Sequence, residues 1–98
     1  IGDIMKFIEV ENNKYELIKN YKDGFDLNEF ISHYTDFFND YDYIVGDIAY
    51  GKLRLKGFYE ETNKKAKNIN NYKYLDKYLT DNCAVDCKYF VLKRVTGK

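Results

Sequence analysis

No apolar run in these 98 residues exceeds a few positions, so nothing in the sequence is long enough to span a membrane. A charged-then-apolar leader with a cleavage site is not visible at the beginning, so no secretion signal is expected. Only two cysteines occur, Cys83 and Cys87, and together with the missing leader they point to the cytoplasm. The first residue is Ile1: either Met5 is the natural start or residues preceding Ile1 are missing. Proline and tryptophan are absent, and arginine occurs only twice. Against these gaps stand 11 Tyr, ten Asn and fourteen Lys. Tyrosine suits interfaces and base stacking, but the bias runs along the whole chain, as the codons of an AT-rich genome would produce. Tyrosine abundance alone is therefore no evidence for nucleic-acid binding.

The missing motifs narrow the chemistry. A single histidine, His33, has no evident catalytic partner and reads as a helical surface residue. Two thiols, one distant histidine and scattered carboxylates do not make a four-ligand metal site. The C-x3-C spacing of Cys83 and Cys87 misses the redox C-x-x-C pattern; two small buried packing residues are the expected reading, ahead of a regulatory disulfide or a metal. Gly46, Gly51 and Gly57 are spaced to shape strands and turns rather than a phosphate loop. The pairs Asp40 and Asp42, or Asp42 and Asp47, could serve as acid and base, but caps or solvated surface are expected there. No catalytic residue, metal or cofactor is expected.

What is present is ample core material: 45% hydrophobic and 18% aromatic residues. A single domain of this length buries roughly 65% of its unfolded surface. The zero net charge hides an asymmetry. Residues 1–50 carry 4 Lys against 11 Asp or Glu, a net of −7, and residues 51–98 carry 12 Lys or Arg against 5 Asp or Glu, a net of +7. Separate faces would make a dipolar molecule; interleaved strands would compensate the charge within the fold.

Along the chain, Ile4 to Val10 reads as a strand, Asn12-Asn13 as a turn and Tyr15 to Ile18 as the returning strand. Asp26 and Glu29 form a capping-box-like pair. Leu27, Phe30, Ile31, Tyr34, Phe37, Phe38 and Tyr41 then recur at helical spacing, predicting one helix of about four turns with a single apolar stripe. Tyr43 to Asp47 reads as a strand in which Gly46 marks a bulge or a close backbone approach, and Tyr50-Gly51 as a turn. Lys52 to Tyr59 alternates, with Leu53, Leu55 and Gly57 on one side and Lys52, Arg54, Lys56 and Phe58 on the other, predicting a half-buried strand with one basic face. Glu60 to Asn71 reads as a mobile polar loop. Asn70 or Asn71 caps a second helix with Tyr72, Leu75, Tyr78 and Leu79 inward. Lys88 to Val95 is apolar on both faces, which predicts an interior strand. The expected fold class is α+β: a single domain over residues 1–98, order ββαββαβ, with a mostly antiparallel sheet packed by two helices.

At DYIVGDIAYGKLRLKGFY (Asp42 to Tyr59) the sequence resembles the YutD-like family, small proteins of low-GC Gram-positive bacteria and their relatives. NKYELIKNY (Asn13 to Tyr21), the tyrosine-rich second helix and CAVDCKYFVLKRV (Cys83 to Val95) fit the same layout, so the resemblance covers about residues 5–95. Ile48 departs from it, standing where an aromatic is common. The resemblance implies a compact α+β domain with a layered sheet, sometimes labelled a regulator, and implies no reaction.

The functional expectation rests on the basic strand. Lys52, Arg54 and Lys56, flanked by Tyr50 and by Phe58 and Tyr59, interleave cations with rings as single-stranded nucleic acid would require. Tyr43, Asp47, Tyr50, Lys52, Arg54, Lys56 and Phe58 are the candidate site. The first expectation is a cytoplasmic, non-catalytic module for RNA, DNA or a nucleoprotein complex. The alternative is a protein-interaction or regulatory module docking through the DYIVGDIAYG segment. Third comes an enzyme on a small substrate, using Asp47 or the cysteines, which a deep pocket lined by Asp47, Tyr50 and Arg54 would favour. No membrane partner is expected, and the sequence does not fix the oligomeric state.

Overall fold

Two tight turns set the sheet. Val10 pairs with Asn13 and Ala49 with Lys52, so each hairpin closes over two residues, Glu11-Asn12 and Tyr50-Gly51. All four adopt positive φ, from 49° to 76°, the backbone hand whose twist matches the flanking strands. The first turn thus lies one residue earlier than the Asn12-Asn13 expectation. The computed structural model describes residues 6–82 and 87–95.

Five antiparallel strands, β1 (Lys6–Val10), β2 (Asn13–Tyr21), β3 (Tyr43–Ala49), β4 (Lys52–Phe58) and β5 (Tyr89–Val95), form one sheet in the order β1-β2-β5-β3-β4. The expected element order and α+β class are as found. β5 lies at the centre, as its two-faced apolar pattern requires: Phe90 and Leu92 enter one core cluster and Val91 the other, all fully buried. Its insertion between β2 and β3 also places a strand of the basic half between two of the acidic half. Ion pairs Asp40–Lys65 and Asp47–Arg54 join the halves further, so the charges interleave. β2 runs longer than expected because its register slips at Ile18, between Leu17 and Lys19. The extra residue moves the odd positions from one face to the other: Tyr15 and Leu17 pack into the first core, whereas the Tyr21 ring meets Tyr89, 5.3 Å between centroids.

The single four-turn helix is corrected. α1 covers Leu27–His33 only, capped by the Asp26 carboxylate accepting from the Glu29 amide at 3.1 Å. Tyr34 is extended, and Thr35 caps a separate 3-10 helix, Asp36–Asp40. The Ser32 hydroxyl donates back to the Glu29 carbonyl at 2.8 Å within the last turn. Tyr34 is then drawn into a buried cluster, its hydroxyl bonded to Asn39 and 3.2 Å from that of Tyr15. Phe30 and Tyr34 reach the core, while Leu27, Ile31 and Phe37 stay exposed. The stripe is real but narrower than its spacing promised.

The opposite face of the sheet is covered as well. Asn71 caps a 3-10 turn, Tyr72–Tyr74, by accepting from the Lys73 amide, and α2 (Leu75–Asn82) follows. Leu75, Tyr72, Tyr78 and Leu79 pack on Tyr43, Val45, Phe58 and Val91. The 60–71 loop expected to be mobile is a chain of hydrogen-bonded turns. The Asp42 carboxylate accepts from the Glu60 amide at 2.8 Å and the Asn63 side chain at 3.1 Å, and Tyr59 bridges Asn71 in parallel.

Candidate functional site

The β3–β4 hairpin presents two faces. Ile44, Leu53 and Leu55 point into the first core, and Gly46 lets the Phe90 ring lie against the backbone: a Cβ there would stand 2.2 Å from Cζ. The expected close approach at Gly46 is found. The other face carries Tyr43, Val45 and Asp47 from β3 beside Arg54, Lys56 and Phe58 from β4, paired Tyr43 to Phe58, Val45 to Lys56 and Asp47 to Arg54.

That face is only in part the solvated basic surface the alternation suggested: Lys52 and Arg54 are exposed, while α2 and the turn before it cover the Lys56–Phe58 end. Asp47, expected as cap or surface, is wholly buried. One carboxylate oxygen accepts from the Arg54 guanidinium, and Oδ1 is buried without a hydrogen-bond partner among the described residues. The same Arg54 nitrogen also donates to the Asn82 carbonyl at 2.6 Å. Arg54 thus ties the buried acid to the end of α2, and its bond to Asp47 holds its pKa above the ordinary value. Tyr43 stacks on Tyr72 with centroids 3.7 Å apart and donates to Glu60; burial, then Glu60, pushes its hydroxyl pKa up. Phe58 is 1% exposed. Lys56 is half-buried, its Nζ 5.3 Å from the Phe58 centroid and 5.6 Å from that of Tyr78. Burial lowers its pKa.

Of the seven candidates, then, Tyr43, Asp47 and Phe58 are framework, Arg54 and Lys56 are engaged within the fold, and only Tyr50 and Lys52 project freely at the hairpin tip, Tyr50 completely exposed. The structure does not gather them into one surface. A groove of about 630 Å³ lies alongside instead. Lys56 and Phe58 of β4, Asn68 and Ile69 of the loop, and Tyr74, Lys77, Tyr78 and Asp81 of the second helical layer line it. The sequence reading missed Ile69, Tyr74, Lys77 and Asp81. The signal available was the helical spacing of Tyr74, Tyr78 and of Lys77, Asp81, a second stripe beside the inward one, together with a lone aliphatic residue in a polar loop. Asp47, Tyr50 and Arg54 do not line this groove.

His33 is exposed, 3.8 Å from Glu29. Asp40 accepts from Lys65 at 2.8 Å and Tyr59 at 2.7 Å, bonds that hold its carboxyl below the ordinary range and push Tyr59 up to about 12. Among the described residues no three metal-ligating side chains cluster. Cys87 is half-buried and disulfide-bonded rather than a buried free thiol, which corrects the packing expectation there; Cys83 lies outside the described residues.

Comparison with known proteins agrees with this architecture. Residues 9–93 match the family described as "Putative antitoxin YutD-like". "Putative antitoxin YutD" of Bacillus subtilis (strain 168) is 48% identical over 88 residues, covering 90% of this chain and 97% of the relative. The solution NMR structure of protein yutD from B. subtilis superposes with a TM-score of 0.77 at 47% identity, covering 97% of this chain and 84% of that one. The chain belongs to the YutD-like family.

Proposed function

Taking that membership as premise, we propose that the chain is a non-catalytic regulatory module that works by binding a partner protein, in a cytoplasmic setting. The observation that carries this reading is the fate of the basic strand. Two of its three cations are engaged by groups of the fold itself, Arg54 (half exposed) on Asp47 and Asn82, and Lys56 over two rings. Nucleic-acid affinity grows with the number of free cations that neutralise phosphates, and this strand leaves Lys52 alone. Apolar exposure beside the groove, Ile69 at 75% and Tyr74 at 37%, fits the anatomy of protein interfaces better. An antitoxin, the word in the relative's name, acts on another molecule, which is in keeping with a macromolecular partner.

The test is affinity capture from native lysate after nuclease treatment, beside titration of the purified chain with a mixed RNA pool. A protein partner retained after nuclease, with RNA binding absent or insensitive to Lys52→Glu, is the expected result. Loss of all captured protein with the nucleic acid, or RNA binding that falls steeply with salt and with Lys52→Glu, would replace this reading with the nucleic-acid one.

A further inference from the structure

The groove between β4 and α2 pairs an uncompensated cation with apolar walls. Lys56 has no carboxylate within ion-pairing distance among the described residues; its Nζ lies over the Phe58 and Tyr78 rings. Ring faces attract an ammonium weakly compared with a carboxylate. A half-buried charge without a counter-ion is therefore an unfavourable feature for stability alone, and burial lowers the Lys56 pKa accordingly. The neighbouring lysine, Lys77, is engaged with Asp81 at 3.0 Å, so the groove offers one positive site, not a track of them. Ile69 and Tyr74 stand exposed at its border.

We propose that this groove docks an acidic, apolar peptide segment of a partner protein, with one carboxylate received by Lys56 and a neighbouring aliphatic or aromatic side chain seated against Ile69, Tyr74 and Tyr78. The proposal rests on the protein-binding reading above and names the partner's chemistry. Charge complementarity selects the carboxylate: the incoming anion supplies the counter-ion that the fold withholds from Lys56. The apolar wall selects what stands beside it, because exposed aliphatic surface at Ile69 gains from burial against another apolar side chain and gains little from a base or a phosphate. A nucleic-acid backbone would bring several phosphates to one free ammonium and to the Asp81 carboxylate.

Selection of a random peptide library displayed on phage against the folded full chain tests this directly. Enriched peptides are expected to carry Asp or Glu within a few positions of Leu, Ile, Phe or Tyr, and to shift the amide resonances of Ile69, Tyr74 and Tyr78. Lys56→Met, which keeps the stem packed on the rings, is expected to weaken the selected peptides at least tenfold. Ile69→Ser should weaken them several-fold, and both variants should melt no lower than the parent. Peptides without carboxylates, peptides mapping elsewhere, no enrichment at all, or equal binding to Lys56→Met would each overturn the proposal. A nuclease-resistant protein partner captured equally by parent and Lys56→Met would retain the protein-binding reading and remove the groove; no such partner would remove both.

Discussion

Asp47 and Arg54 show how one side chain fixes the meaning of another. A carboxylate taken wholly out of water is tolerable only with a partner, and Arg54 supplies it. Arg54→Met, leaving that acid unpaired, is expected to cost about 2–3 kcal/mol by urea denaturation, below the full value for a buried pair because the guanidinium is half exposed. The double variant Asp47→Asn with Arg54→Met should recover much of the loss. If Arg54→Met melts like the parent, the pair does not hold α2. Gly46 is limiting in a different way: the Phe90 ring that a new Cβ would strike is itself fully buried and wedged by Phe25 and Phe30. Gly46→Ala should therefore destabilise by about 2–3 kcal/mol, readable as a lowered melting temperature and relieved by Phe90→Leu. The close approach at Gly46 was legible in the sequence, since a glycine inside an alternating apolar strand has few other uses. The burial of Asp47 was not, because alternation says that Asp47 shares a face with Tyr43 and Val45 but not what covers that face.

At the scale of elements, periodicity located the strands and α2 but misjudged where α1 stops. The stripe from Leu27 to Tyr41 keeps its spacing through Tyr34, yet Tyr34 turns extended and Thr35 caps a new helix, which splits the segment into an α and a 3-10 piece. Spacing alone does not see a break that preserves it. The basic face of β4 is exposed at Lys52 and Arg54 but not at Phe58, and α2, which covers that end, arrives from more than sixteen residues further along. Turn chemistry gives two checks. Tyr50 holds φ of 55° while fully exposed, a hand that costs an ordinary L-residue roughly 1–2 kcal/mol and asparagine less. Tyr50→Asn is thus expected to raise stability by about 0.5–1 kcal/mol in chemical denaturation; unchanged or lower stability would mean the ring contributes to the fold. Asn71→Ala removes a side-chain cap and should cost about 1 kcal/mol.

Across the whole molecule, the opposed charges of the two halves are drawn together because β5 crosses back between β2 and β3. The raised phenols make the stability of the fold depend on alkaline pH. Tyr59 is raised from its ordinary 10.0 to about 12 by its bond to Asp40, and burial raises Tyr15 and Tyr43 in the same direction. A pKa raised by folding gives stability that is complete below the unfolded value of 10.0 and is lost as pH climbs toward about 12. Circular dichroism followed with tyrosinate absorbance should show these phenols ionising together with unfolding in that window; ionisation near pH 10 in a chain that stays folded would contradict the assignment.

The proposed binding function stands on the second layer, where α2 and the end of β4 form a groove with one uncompensated lysine. Its most direct test is quantitative affinity capture from nuclease-treated lysate by the parent chain and by Lys56→Met side by side, both shown to melt at the same temperature or higher. A protein partner recovered by the parent and depleted at least tenfold by the variant is the predicted result. Loss of that partner with nuclease, or equal recovery by both chains, would contradict it.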